Sequence, residues 1–323
     1  MPSWNQLVAS IESIKDNGEK DRWIGQQINH YFNKISKFRN DNNVIFYSSA
    51  YMQKPGVNPY LVQITPEDLN GFMTTMHGMK WDKGLTLILH TPGGITNAAE
   101  TIIDYINRKF SYIEVIVPAF AMSAGTMISL CSHKIIMGRQ SQLGPIDPQL
   151  PIGNRYASAL SIRNQFLRAQ NEIIDNKNNA HVWAPILSSL GPALLQEAEN
   201  AITYGEGVVK AWLIKNMFKD NAKKEQLATS AAEYFSQCEK NTSHGRRINR
   251  DEVRSQNLNV EDLEQNQEFQ DDVMTLYHLF TILFEKGPAA KIIAGNAGTN
   301  WVKNVAPQQH IIPQKVAQHI QNQ

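Results

Sequence analysis

Two apolar runs, each ending in a cluster of small residues that opens a helix-period stretch, constrain this chain more than anything else in it. The first, Leu85-Thr86-Leu87-Ile88-Leu89, ends in Thr91-Pro92-Gly93-Gly94, after which Ile95, Ala99, Ile102, Ile103 and Ile106 fall on one helical face. The second runs from Ile113 to Val117, passes through Ala121-Met122-Ser123-Ala124-Gly125-Thr126 and continues as Met127-Ile128-Ser129-Leu130-Cys131. A third short run, Lys134 to Met137, follows. Strand, small-residue turn and helix, given twice in succession, predict an α/β fold with a serine at the second junction.

The chemistry of two such turns is that of an oxyanion hole beside a nucleophile. The first N–H groups of a helix have no intrahelical partner and lie at the positive end of its dipole, so they favour a developing negative charge. Ser123 falls at that end of its helix, and the N–H of Ala124 follows it. Glycine at 93 and 94 lets a second stretch of backbone approach closely and aim the Gly94 N–H at the same point. The order of residues does not show whether the two turns meet in space.

Around this centre the chain divides into four parts. Residues 1–40 read as a helical arm, with Trp4, Leu7, Val8, Ile11 and Ile14, then Trp23, Ile24, Ile28, Tyr31 and Phe32, at helical spacing about an Asp16-Asn17-Gly18 break. Residues 41–155 form the α/β core with the nucleophile. They include a strand over Asn43 to Ala50 and a short helix opened by Thr65-Pro66-Glu67-Asp68, with threonine as cap and proline at the first helical position. Residues 156–286 turn mostly helical, in stretches Ala157 to Ile174, Ala184 to Phe218, Ala222 to Gln237 and Val260 to Glu285, with loops at Asn176-Lys177-Asn178-Asn179 and over 239–250. This additional helical half would complete the site. Residues 287–323 read as a tail with a closing helix near Val316 to Ile320.

With 31 basic and 30 acidic residues the net charge is +1, which gives no warrant for nucleic acid or an anionic membrane as partner. Cys131, in an apolar helix, and Cys238, in a polar one, make neither a disulfide framework nor a metal site, and point to a reducing compartment. The first residues lack the pattern of a signal peptide. The longest nearly uncharged window, Val115 to Cys131, is broken by Pro118, Ser123 and Gly125, so no integral membrane segment is expected and a cytoplasmic location is.

The Pro-Gly-Gly turn followed by a serine among small residues resembles the Clp-peptidase and crotonase superfamily, and Gly94 and Ser123 stand 29 residues apart, as in Clp peptidases. More closely, HTPGG, AMSAGT and LGPIDPQ in that order resemble the serine dehydrogenase proteinase family, related to signal peptide peptidase A. The resemblance covers about residues 45 to 260. It implies a Clp-crotonase core and a serine peptidase acting on peptide or protein substrates through Ser, Asp and His in that chain order. It implies no organic cofactor or metal, and a homo-oligomer, for which the apolar residues of the N-terminal arm would serve as contacts.

On that pattern Ser123 is the nucleophile, although serine at this place also caps helices. The acid is Asp147, in Leu143-Gly144-Pro145-Ile146-Asp147-Pro148, where a turn-fixing role is the plainer reading. The Clp histidine is absent, since the position 25 residues after Ser123 is Pro148. His244 is chosen as base because the stretch from Ser243 to Val260 resembles the family's histidine segment, with Asn257 where the family has glycine. His181, in a loop-like stretch, is second choice. His278 reads as packed, His90 as ordering the glycine turn or packing, and His133 as a cation at the end of the nucleophile helix. Three rival readings stay open: a Ser-Lys dyad, which would need a lysine from the helical half or from a neighbour because Lys134 is too far along the helix; a crotonase-like acyl-CoA enzyme using the same N–H pair; and an inactive scaffold.

Overall fold

The computed structural model describes residues 2–191, 193–237 and 245–305. Two helices open the chain, α1 (Trp4–Ser13) and α2 (Asn17–Phe38), and are followed by β1 (Asn43–Ser49), the single turn α3 (Pro59–Val62) and α4 (Asp68–Thr75). The first strand-turn-helix unit is β2 (Leu85–His90) with α5 (Thr96–Lys109), and the second is β3 (Ile113–Val117), β4 (Phe120–Ala121) and α6 (Ala124–Leu130). Next come β5 (Lys134–Met137), β6 (Gln142–Leu143) and a hairpin of β7 (Gln149–Ile152) and β8 (Arg155–Ser158). Helices α7 (Ala159–Asp175), α8 (Ala180–Ser188), α9 (Leu194–Lys215) and α10 (Lys224–Gln237) follow, then β9 (Ile248–Asn249), α11 (Arg250–Ser255), β10 (Val260–Asp262), α12 (Gln267–Lys286), β11 (Ala289–Gly295) and β12 (Asn300–Asn304).

The seven-stranded sheet has the order β10-β5-β3-β2-β1-β11-β12, parallel from β10 to β1 and antiparallel at β11 and β12. Alternate residues feed two hydrophobic clusters. Ile45, Tyr47, Leu85, Leu87 and Leu89 face one side, where α5, α6, α9 and α10 pack. Val44, Phe46 and Ile88 face the other, where α2 and α12 pack. A sheet covered on both faces needs apolar side chains on both, so its strands show no polar alternation. At the amino ends of the strands Arg39 closes the sheet, with Nε 2.7 Å from Glu114 Oε1 and Nη1 2.7 Å from Glu261 Oε1, while Lys134 Nζ lies 2.8 Å from Glu261 Oε2.

Four expectations change. The N-terminal helices do form, but Leu7, Ile11 and Ile24 are buried against Leu279 and Ile282 of α12, so the arm is part of the fold and its apolar residues are already used. Residues 289–304, read as tail, form two strands, and β11 lies inside the sheet against β1. The lysine in Ala289-Ala290-Lys291-Ile292-Ile293 disguised that strand, since a charge in an apolar run argues against burial. Val260 opens a strand paired with β5, not a helix. Thr65 does not cap α4; its N–H donates to the Asp68 carboxylate at 3.0 Å. The closing helix expected near 316–320 lies outside the described residues.

Candidate active site

β2 and β3 are parallel neighbours, with Leu85 opposite Ile113 and Ile88 opposite Ile116, so the turns leaving their carboxyl ends emerge side by side. A short bridge joins them: Thr91 N–H donates to the Phe120 carbonyl at 3.0 Å and Met122 N–H to the Thr91 carbonyl at 3.1 Å. The glycine turn is then pressed onto the serine turn. A Cβ at Gly93 would stand 2.6 Å from the Met122 carbonyl oxygen and 2.7 Å from Ser123 Cβ, and Gly93 has φ +99°, so only glycine serves there.

On its far edge the glycine turn is held by Ile64. The Ile64 N–H donates to the Gly93 carbonyl at 2.8 Å and the Ile95 N–H to the Ile64 carbonyl at 2.9 Å. A parallel bridge of this kind uses the groups of residues 93 and 95 and leaves the N–H of Gly94 itself on the opposite edge of the strand. Neither that N–H nor that of Ala124 makes a hydrogen bond to a described residue.

Ser123 sits at the N-terminal cap of α6 with φ 51° and ψ −116°. Its side chain does not cap the helix, which removes the plain reading of a serine at this place. For a residue other than glycine such dihedrals store strain, and strain of this kind is kept where surrounding structure demands it, as at the sharp strand-to-helix turns that present nucleophiles.

The segment carrying Asp147 runs directly over this turn. Gly144 N–H donates to Thr126 Oγ1 at 2.9 Å, and a Cβ at Gly144 would stand 2.6 Å from Met122 Cε. Three residues on, Asp147 is 2% exposed and accepts from Gln149 Nε2 at 3.1 Å. In the small sheet β4-β6-β9, Leu143 pairs with Ile248 in antiparallel register, so the chain entering β9 from Gly245 runs past the Gly144 turn. Arg247 of that segment stacks over the Phe120 ring, 4.7 Å from its centroid. His244 and Cys238 lie outside the described residues. Asn257, where the family pattern has glycine, follows the end of α11 with φ 59°. Asparagine is the residue that best replaces glycine in that left-handed conformation, so the departure keeps the geometry.

Other histidines take different places. His181 is exposed on α8 rather than in a loop. His278 is half-buried on α12, with its pKa lowered by burial. The helix α6 ends at Leu130, and His133 beyond it accepts a hydrogen bond at Nδ1 from the Ile113 N–H (3.2 Å), with burial and nearby Lys219 lowering its pKa. It is a neutral acceptor, not the helix-end cation expected. His90 is fully buried among Tyr51, Phe120 and Tyr277, with ring centroids 5.2, 6.3 and 5.0 Å away. Neither of its nitrogens has a partner of ordinary geometry; burial drives its pKa down to about 3, opposed weakly by the Phe120 backbone.

A mostly parallel sheet covered by helices on both faces, with a strained serine at a strand-to-helix turn, defines an α/β protein of the class the sequence suggested. The chain belongs to the ClpP-like SDH-type serine proteinase family, which it matches over residues 53–280. Two uncharacterized proteins of Methanocaldococcus jannaschii are similar to it. One is 44% identical over 87 residues, 27% of this chain and 30% of that protein, and the other 34% identical over 112 residues, 35% and 37%. The matched stretch thus spans about a third of each relative's length. Among solved structures, two mutants of the 1510-N membrane-bound stomatin-specific protease resemble it. One is 18% identical with a TM-score of 0.38 over 65% of this chain and 79% of that one; the other, in complex with a substrate peptide, is 21% identical with 0.27 over 62% and 86%. No helix among the described residues is long and apolar enough to cross a membrane.

Sequence reasoning missed Ile64, Asp68 and Lys291, which lie far from the motifs in the chain and beside them in space. The one signal was the lone lysine in an apolar run.

Proposed function

We propose that the chain is a serine peptidase that hydrolyses peptide bonds with a Ser123-Asp147-His244 triad. The observation that carries the reading is Ser123 itself, held in strained backbone at the head of α6 against the glycine turn. Ser123 Oγ attacks the scissile carbonyl, and His244 takes its proton and returns it to the leaving amine. Asp147 fixes the imidazole tautomer. The two N–H groups bind the tetrahedral oxyanion, a contribution of about 3 kcal/mol per donor. What supports His244 is the likeness of the stretch from Ser243 to Val260 to the family's histidine segment, and what supports Asp147 is its burial three residues beyond Gly144.

The test is covalent labelling with an alkyl fluorophosphonate, in which Ser123 Oγ bonds to phosphorus and fluoride leaves. Wild type should carry the adduct on the peptide containing Ser123, and Asp147→Ala and His244→Ala should lose it while remaining folded. Labelling that survives His244→Ala transfers the role of base to another residue; a folded wild type that never labels overturns the hydrolase reading.

The rival Ser-Lys dyad draws no support from Lys134, which is engaged by Glu261 at the opposite end of the strand. Lys134→Met is expected to leave the labelling rate unchanged and to lower stability by about 1 kcal/mol or less, as partly exposed ion pairs do; a collapse of labelling in the folded variant would revive the dyad. We also infer a homo-oligomer. Because Leu7, Ile11 and Ile24 of the N-terminal arm are buried within the fold, the contact is assigned to more exposed apolar side chains such as Tyr156 on β8, Ile174 on α7 and Val182 on α8, exposed by 73, 70 and 63%.

A further inference from the structure

A buried polar cluster outside the proposed triad has no part in the chemistry described so far. Lys291 on β11 is 1% exposed and Asp68, at the start of α4, is 0% exposed. Lys291 Nζ lies 2.7 and 2.9 Å from the two Asp68 oxygens and 2.5 Å from the Gln63 carbonyl. Asp68 Oδ2 also accepts from the Thr65 N–H at 3.0 Å and from the Tyr47 hydroxyl at 2.9 Å. An ion pair this deep is weak ground for stability, because taking both charges out of water offsets their attraction. Its placement says more.

The groups that the pair grips, the Gln63 carbonyl and the Thr65 N–H, flank Ile64. Ile64 is the residue whose N–H and carbonyl bracket Gly94, and a Cβ at Gly94 would lie 2.3 Å from the Ile64 oxygen and 2.4 Å from its nitrogen. The Tyr47 hydroxyl holds Asp68 from a second side, from β1. The route from the pair through Ile64 ends on the glycine turn, and no hydrogen bond of the pair reaches Ser123, Asp147 or β9. The Gly94 N–H makes no bond of its own to a described residue, so its direction depends wholly on its neighbours.

We propose that Asp68 and Lys291 are positioning residues: acting through Ile64, they fix the direction of the Gly94 N–H at the oxyanion site. The inference rests on the peptidase reading for its consequence, but its physical content, a brace on residues 93–95, stands apart from it. A donor displaced by about an ångström costs on the order of 100-fold in rate even when the disturbance is remote.

The experiment compares Asp68→Asn, Lys291→Met, the two together, and the milder Tyr47→Phe, by fluorophosphonate labelling and by amide hydrogen exchange. Removing one partner strands the other, while removing both restores neutrality and with it most of the stability. A merely structural pair therefore predicts that the double variant recovers labelling along with its melting temperature. The brace predicts recovery of stability without recovery of labelling: the maximal inactivation rate stays ~10- to 100-fold down, the probe's apparent affinity is unchanged, and exchange of the Ile64, Gly93 and Ile95 amides is faster while β3 is unaffected. Tyr47→Phe should shift both readouts the same way by a smaller factor, and it keeps the proposal testable should the charge variants not fold. Wild-type labelling and wild-type exchange in the folded double variant, or in a folded Tyr47→Phe protein, overturn the inference. Should wild type itself never label, the peptidase reading fails, and the exchange of these three amides still decides whether the brace exists.

Discussion

Replacing Ser123 with glycine is expected to abolish fluorophosphonate labelling and, at the same time, to make the protein more stable by about 1 kcal/mol. With φ 51° and ψ −116°, Ser123 is held where a side chain is unwelcome, at a cost of about 1–3 kcal/mol. Glycine relieves that cost, and its own greater chain entropy in the unfolded state returns about 0.5–1 kcal/mol of it. In a protein of 323 residues the net gain raises Tm by about 1–2 °C. Ser123→Ala serves as control, since it loses the hydroxyl but keeps the strain and should melt near wild type. The measurement is denaturant unfolding of the three proteins beside their labelling. A glycine variant less stable than alanine would mean that the turn stores no strain, and the argument from backbone to nucleophile would lose its footing.

Acidification is expected to destabilise the fold through His90. Its folded-state pKa is pushed down to about 3 by burial in the aromatic box of Tyr51, Phe120 and Tyr277, whereas in the unfolded chain it titrates near the ordinary histidine value of about 6.5. Between those values the unfolded state binds a proton that the native state refuses. Stability is therefore fully present above about pH 6.5 and declines as pH falls, by about 1.4 kcal/mol per unit, until the folded form titrates near pH 3. At pH 4 the loss is about 3 kcal/mol. The pKa values of His133 and His278 are also lowered, by burial first in each case, and act in the same direction. His90→Phe, which keeps a ring in the box, isolates the first contribution: its unfolding free energy should fall less steeply between pH 6.5 and 4 than that of wild type. Parallel pH profiles for the two proteins would refute it.

The strand-turn-helix units around Ser123 were legible because they are local. Leu85–His90, Ile113–Val117 and Lys134–Met137 appear almost residue for residue where their apolar runs put them, and the glycines announced a turn that only glycine can make. That the two turns touch followed from nothing in the order of residues; it follows from the pairing of β2 with β3. Elements that depend on distant partners were the ones misread. Lys291 went unnoticed because Asp68, its partner, is 223 residues away. Val260–Asp262 passed for helix because its pairing with Ile135 to Met137 is likewise remote. The apolar stripes of α1 and α2 were visible, but a stripe does not say what covers it, and α12 lies at the other end of the chain.

The place of β11 has a consequence for how the protein comes into being. During synthesis residues 1–288 leave the ribosome before the strand that completes the inner sheet, and until Ala289–Gly295 arrives β1 presents an open edge to whatever else is nearby. The same late strand carries Lys291, so a nascent chain holding every proposed catalytic residue still has Asp68 without its counterion and the glycine turn without its brace. The brace on the glycine turn therefore cannot form until β11 has followed the proposed catalytic residues out of the ribosome.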